Sequence, residues 1–371
     1  MKVRIESTRV DKILLKRYLK ELEAAILRSE GLNDLDQYRK VFEKKFAAYI
    51  GMPHARAVNS GTDALQLALS ALGIGKGDEV IVPDLTYIST ALAVQFTGAQ
   101  PVFVDVLEPD FTIDASAISR AITNKTKAIM AVHMFGNPCA MKTIAAAAKK
   151  HGLFLIEDCC QALGSRLGKS LLGSFSDAAA FSFSYYKPLS SLSGNGGMLV
   201  CRNSEIADKV DALLNFWKLD PLIAAAGKKF HKISLPDLAT VKVKFDFLEG
   251  IISSRDKICA CYEDGLRGIS GIIALQRNKG VSTVRENFLI LSSRRDLLRA
   301  YLHKCGVDTD MPYEPVHRAA CCFVKGAKDA SFPVAMRYFR DGLHLPLFSF
   351  MREDEVNFVV EAIRSFSRGT R

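Results

Sequence analysis

Between residues 55 and 200 the chain alternates, segment by segment, between short apolar runs and helical patterns. ARAVNSG reads as a strand entering a turn, and TDALQLALSALGIG as a helix stopped by glycine. DEVIVPD, PVFVDV, TKAIMAVHMFG, LFLIEDC, AAAFSFS and GGMLVC read as further strands. ISTALAVQFTGA, ASAISRAITN and AMKTIAAAAKKHG read as the helices between them. The runs VIVP, PVFVDV and LFLIED lack clean apolar–polar alternation, as strands covered on both faces do. Strand–helix–strand order of this kind predicts an α/β domain on a mainly parallel sheet.

Two helical patterns precede this region, one ending on Gly31 and one on Gly51. After about residue 240 the character changes. KFDFLEGIISSRDKICACYEDGLRGI reads as one long helix and RENFLILS as a strand; SRRDLLRAYLHKCG and EDEVNFVVEAIRSFSR read as helices. The expected division is a large domain over 1–245 and a smaller C-terminal α+β domain over 246–371, since 371 residues are too many for one simple core.

Composition narrows the partners. Hydrophobic residues at 49% and charged residues at 24% are the balance of a folded globular chain. No uncharged apolar stretch approaches about 18 residues, so no membrane span is expected. The start, MKVRIESTRVDKILLKRY, has no apolar core or small-residue cleavage site, so a cytoplasmic protein without a signal peptide is expected. Nine cysteines occur without a CxxC pair or zinc-finger spacing, so no metal is expected and the thiols read as reduced. The net charge of +10 calls for an anionic partner. Lys and Arg are spread out and no nucleic-acid-binding motif accompanies them. A phosphorylated small molecule is therefore the expected partner, not nucleic acid.

Three segments carry candidate chemistry. In Asn59-Ser60-Gly61-Thr62-Asp63 a strand gives way to a helix, whose first N–H groups have no internal partner and bind anions. Ser60 with Asp63 is equally an ordinary N-cap. In LFLIED the strand delivers Glu157 and Asp158 at its carboxyl end, where α/β sheets gather ligands. Only one of the two faces a given side, and a buried carboxylate needs a cationic or donor partner. The third segment, FSFSYYK, ends on Lys187 before the turn GNGG. A sheltered lysine loses its proton more easily and acts as a nucleophile. A snorkelling surface lysine is the plainer alternative.

In that order, SGTDAL, EDCCQ, SFSYYK and GNGG resemble the motifs of the DegT/StrS-type sugar aminotransferases, which are fold-type I pyridoxal-phosphate (PLP) enzymes. PDLTYISTALAV, VHMFGNPCAM, Pro315-Val316-His317 and LHLPLF extend the likeness. The resemblance implies a three-layer α/β/α large domain. It implies that Lys187 carries the cofactor as a Schiff base, and that Asp158 pairs with the pyridine nitrogen. Gln161 would contact the ring hydroxyl and Tyr87 would stack on the ring. Ser60, Gly61, Thr62 and Ser182 would hold the phosphate. The family's G-x-N-(Y/F)-R segment has only Gly227-Lys228-Lys229-Phe230-His231 as its counterpart. This makes Lys229 and His231, with His317, the candidate substrate contacts. The implied reaction passes an amino group from an amino acid, by resemblance glutamate, to a nucleotide-linked keto sugar in a homodimer. A keto cyclitol acceptor, a sugar dehydratase and a non-catalytic PLP-binding regulator are the alternatives. The dehydratase branch carries His where this chain has Lys187.

Overall fold

The alternating segments form a seven-stranded sheet. The structure, a computed structural model, describes residues 1–4, 12–28, 32–215, 230–275, 281–320 and 327–369. Helices α1 (Lys12–Arg28) and α2 (Leu32–Ile50) lead into β1 (His54–Val58). Then follow α3 (Gly61–Ala71), β2 (Glu79–Pro83), α4 (Ser89–Phe96), β3 (Gln100–Val104) and β4 (Thr126–Val132). After these come α5 (Met141–His151), β5 (Phe154–Asp158), β6 (Ala178–Ser182), β7 (Gly197–Cys201) and α6 (Ser204–Leu214).

The strand order is β1-β7-β6-β5-β4-β2-β3. Only β7 runs against its neighbours, β1 and β6; the other pairs are parallel. Side chains alternate faces along each strand. Ala178 and Ala180 accordingly pack beneath α3 and α6, and Ala179 and Phe181 beneath α2. Ile129 and Leu155 meet Met141 and Ile144 of α5. Helices thus cover both faces of a mainly parallel sheet, as the sequence predicts. Phe46 meets Phe181 edge-on at 5.2 Å, and each such ring, fully buried, contributes about 1.5–3 kcal/mol.

The chain continues through α7 (Leu235–Phe245), α8 (Leu248–Gly265), β8 (Ile273–Ala274), β9 (Phe288–Leu291) and α9 (Arg295–Lys304). It ends with α10 (Pro333–Asp341), β10 (Gly342–Leu345) and α11 (Glu353–Arg368). Strands β8-β9-β10 form an antiparallel sheet. Tyr262, Phe288, Leu298, Leu343, Val359 and Ile363 build a separate hydrophobic cluster around it, which Val3 joins. Two sequence expectations need correction. The single long helix is two, because Phe247 (φ −108°, ψ 8°) leaves the helical well between α7 and α8. The strand TKAIMAVHMFG stops at Val132, because the backbone then leaves the extended region: His133 has ψ 73° and Phe135, in the short 3₁₀ turn Met134–Gly136, a left-handed φ of 56°. Among the described residues no helix is long and apolar enough to cross a membrane.

Candidate active site

Three element ends meet at the carboxyl edge of the large sheet. Ser60 caps α3, its Oγ accepting from Asp63 N at 3.0 Å. The N-cap reading is therefore correct as far as it goes. It leaves the N–H groups of Gly61 and Thr62, which helix geometry gives no internal partner. The helix start is pressed onto its neighbours. A Cβ on Gly61 would lie 2.7 Å from Cys160 Sγ and 3.0 Å from Ser182 Cβ, and one on Gly197 only 2.5 Å from the Ser60 carbonyl carbon. Glycine is the residue that lets GNGG and the end of β6 lie flush against this turn. Asn59 N donates to the carbonyl of His231 (3.0 Å), whose side chain is exposed beside the same turn. Lys229 lies outside the described residues.

β5 ends on the two carboxylates, which face opposite ways. Glu157 is fully buried and accepts from Gly173 N (2.7 Å), Phe175 N (2.9 Å) and Ser176 Oγ (2.7 Å), with His133 Nε2 at 3.0 Å. Burial works against its charge, but these bonds hold the carboxyl below the usual range. Glu157 is a structural latch. Asp158 points to the other side. Its Oδ1 accepts from Cys160 N (3.0 Å) and its Oδ2 from Thr90 Oγ1 in the first turn of α4 (2.8 Å). It is buried, yet among the described residues it makes no ion pair. Such a carboxylate is matched only by a cation or further donors. Gln161 is held by its Oε1, which accepts from Phe135 N at 2.9 Å, leaving its amide NH2 to donate elsewhere.

Lys187 sits in the loop between β6 and β7, five residues beyond Ser182 in sequence. Asp237 of α7 anchors this loop through Ser193 N (2.7 Å) and Oγ (2.8 Å); Lys244 does so through Ser190 O and Oγ, both at 2.8 Å. Lys187 Nζ donates to Glu286 Oε1 at 2.6 Å. The neighbouring Cys160 thiol is pushed well up by burial and by Asp158, so it stays protonated and competes poorly as a nucleophile. Tyr87 is 55% exposed beyond β2, and Tyr313 meets it edge-on at 5.7 Å.

His317 is placed differently from the other candidates. It is buried against Phe332 at 4.6 Å, with Nδ1 2.7 Å from Asp84 Oδ2 and Nε2 2.9 Å from Asp329 Oδ1. Both ring nitrogens are thus occupied by carboxylates. The sequence reading missed Thr90, Glu286 and Tyr313. Thr90 had a faint signal, a hydroxyl opening the helix in TYIST. Glu286, an acid before the apolar run in RENFLIL, had none.

This edge offers amide donors for an anion at one end, a buried carboxylate with no ion-pair partner among the described residues at the other, and an amine beside them. That donor set fits pyridoxal phosphate, which brings a phosphate, a protonatable ring nitrogen and an aldehyde. Fold and chemistry together define a class: a PLP-dependent aminotransferase of fold type I.

Comparison with known proteins narrows the class. The sequence profile of the DegT/DnrJ/EryC1/StrS aminotransferase family matches residues 15–364, and the chain belongs to that family. It is 35% identical to the dTDP-3-amino-3,4,6-trideoxy-alpha-D-glucose transaminase of Streptomyces venezuelae, over 99% of this chain and 98% of that protein. It is 33% identical to the GDP-perosamine synthase of Escherichia coli O157:H7, over 95% of each. The crystal structure of S. venezuelae DesV in complex with a ketimine intermediate superposes with a TM-score of 0.89 at 34% identity, covering 99% of this chain and 98% of that one.

Proposed function

We propose that the protein transfers an amino group from an amino acid, glutamate by family resemblance, to a keto sugar carried on a nucleotide. The observation that carries this reading is the convergence of the α3 start, Asp158 and Lys187 at one sheet edge, together with the nucleotide-sugar relatives. When bound, the cofactor supplies an electron sink for the carbanion formed at the amino acid's α-carbon.

The residues then divide the work. Gly61, Thr62 and Ser182 hold the phosphate, with Ser60 fixing the helix start. Asp158, steadied by Thr90, keeps the ring nitrogen protonated. Gln161 donates to the ring oxygen, and Tyr87 covers the ring face. Lys187 binds the cofactor; once released, its amine is the base and acid that moves a proton to and from the α-carbon. His231, Lys229 and His317 belong to the acceptor side. His317 does so as a wall residue, since Asp84 and Asp329 hold its ring. The same reading divides the chain at 245/246, completes the site in a homodimer and places the enzyme in the cytoplasm.

The test is a half-reaction. Adding glutamate to the purified, PLP-loaded protein should shift the cofactor's absorbance, and a nucleotide-linked keto sugar should reverse it. Lys187→Ala should abolish turnover; full turnover in that variant would sink the proposal.

A further inference from the structure

Lys187 Nζ reaches Glu286 Oε1 under cover, the two side chains being 12% and 3% exposed. The other carboxylate oxygen, Oε2, is buried and has no hydrogen-bond partner among the described residues. Glu286 is also fixed from behind. Arg255 of α8 donates to the main-chain carbonyls of Arg285 and Glu286, both at 3.1 Å, just before β9 begins. A half-satisfied buried carboxylate is costly unless a charge matches it. The cations beside it are Arg255, which donates to main-chain carbonyls and to Ser349 Oγ, Arg285, which pairs with Glu263, and Lys187, which donates to the carboxylate itself. Burial and Glu286 push the Tyr313 hydroxyl up; burial chiefly does the same to Tyr338, helped by Asp310 and Glu286. Both hydroxyls stay neutral, and the Cys160 thiol stays protonated. Asp158 and Asp310 carry the wrong sign. Lys187 is the cation that the carboxylate itself holds, at 2.6 Å.

We propose that Glu286 is a positioning residue for Lys187: it holds the free lysine amine as an ion pair, aims it from the second half of the chain, and lets it go when the lysine attaches to the cofactor. This rests on the reading of Lys187 as the cofactor lysine. Glu286 thereby favours the released lysine over the attached one. It also keeps Nζ in a fixed place during the proton transfers.

The test uses cofactor-free enzyme. Lys187 is acetylated with acetic anhydride over a range of pH and quantified by peptide mass spectrometry in wild type, Glu286→Gln and Glu286→Asp. An opposite charge at this distance favours a cation by at least about tenfold. Glu286→Gln, which removes that charge, should therefore label about tenfold faster. Glu286→Asp should fall in between. In loaded enzyme, Glu286→Gln should lower kcat and leave KM for the amino donor unchanged. Labelling of Glu286→Gln that matches wild type at every pH overturns the proposal, whatever happens to kcat. If that variant does not fold, Glu286→Asp indistinguishable from wild type overturns it equally. Such a result, with Lys187→Ala still inactive, removes this inference and leaves the aminotransferase reading intact.

Discussion

The two sides of the site are built in different ways. On one side, Gly61, Asp158 and Ser182 each stand at the end of a regular element of the large sheet. On the other, Glu286, Tyr313 and His317 stand outside regular α-helices and β-strands, in the segments before β9 and between α9 and α10. Their positions come from distant partners: Arg255 for Glu286, Tyr338 for Tyr313, and Asp84 for His317. The first side is fixed by local geometry, which should make it rigid and intolerant. The second is fixed by side-chain bonds and should yield in smaller steps.

The largest effect is expected on the first side. Asp158→Asn keeps the shape of the carboxylate and removes its charge, so a ring nitrogen above it loses its proton. The expected loss in kcat is about 10²–10³-fold, as for removal of a preorganised electrostatic partner. Thr90→Ala frees Asp158 Oδ2 and the Thr86 hydroxyl but leaves the charge in place, and should cost about tenfold or less. Single-turnover rates with glutamate check both. Equal losses would mean that Asp158 works through its placement and not its charge.

Next comes Gly61→Ala. Its Cβ would meet Cys160 Sγ at 2.7 Å and Ser182 Cβ at 3.0 Å, so the helix start must lift off the strand ends. Overpacking of this kind costs about 1–3 kcal/mol. Here it should appear chiefly as weaker cofactor binding, by roughly tenfold or more, read by PLP titration of the cofactor-free enzyme. Binding that stays unchanged would break the claim that this side is intolerant.

On the second side, Tyr338→Phe removes the hydroxyl that accepts from Tyr313 N (3.2 Å) and lies 2.9 Å from His344 Nε2. Both groups are left unpaired, at a cost of about 1–3 kcal/mol in unfolding free energy with binding little changed. Burial depresses His344 to about 4, so its ring is neutral from about pH 5 upward. The destabilisation should therefore be flat between pH 5 and 8. A loss that grows on acidification within that window would mean that the ring is charging.

This contrast also explains what the sequence could and could not reveal. β5 and the α3 start were legible because an apolar run followed by SGT or ED is a local pattern. Ser60 could be assigned as an N-cap from Asp63 alone. The opposed faces of Glu157 and Asp158 follow from strand periodicity. Glu286 has no such pattern. Its partner is 99 residues away, and nothing in RENFLIL distinguishes a buried acid from a strand-edge charge. The break between α7 and α8 was illegible for a related reason. KFDFLEG keeps helical spacing, and only the dihedral angles of Phe247 interrupt it.

The last effect belongs to the joint between the two sides. Lys244 of α7 ties down the loop that follows Lys187, and burial lowers it from its usual range to about 8. The folded protein therefore holds this proton less tightly than the unfolded chain does. Between about pH 8 and 10.5 the unfolded state binds more protons, so the contribution of Lys244 to stability rises with pH there. Below about 8 both states are protonated and the burial penalty is present in full. Lys244→Met removes this dependence along with the two bonds to Ser190. The variant's stability relative to wild type should thus be more favourable at pH 7.5 than at pH 10, by at most about 3 kcal/mol. Chemical denaturation of both proteins at the two pH values isolates the difference from other titrating groups. A constant difference would mean that the amine is better solvated than its burial implies.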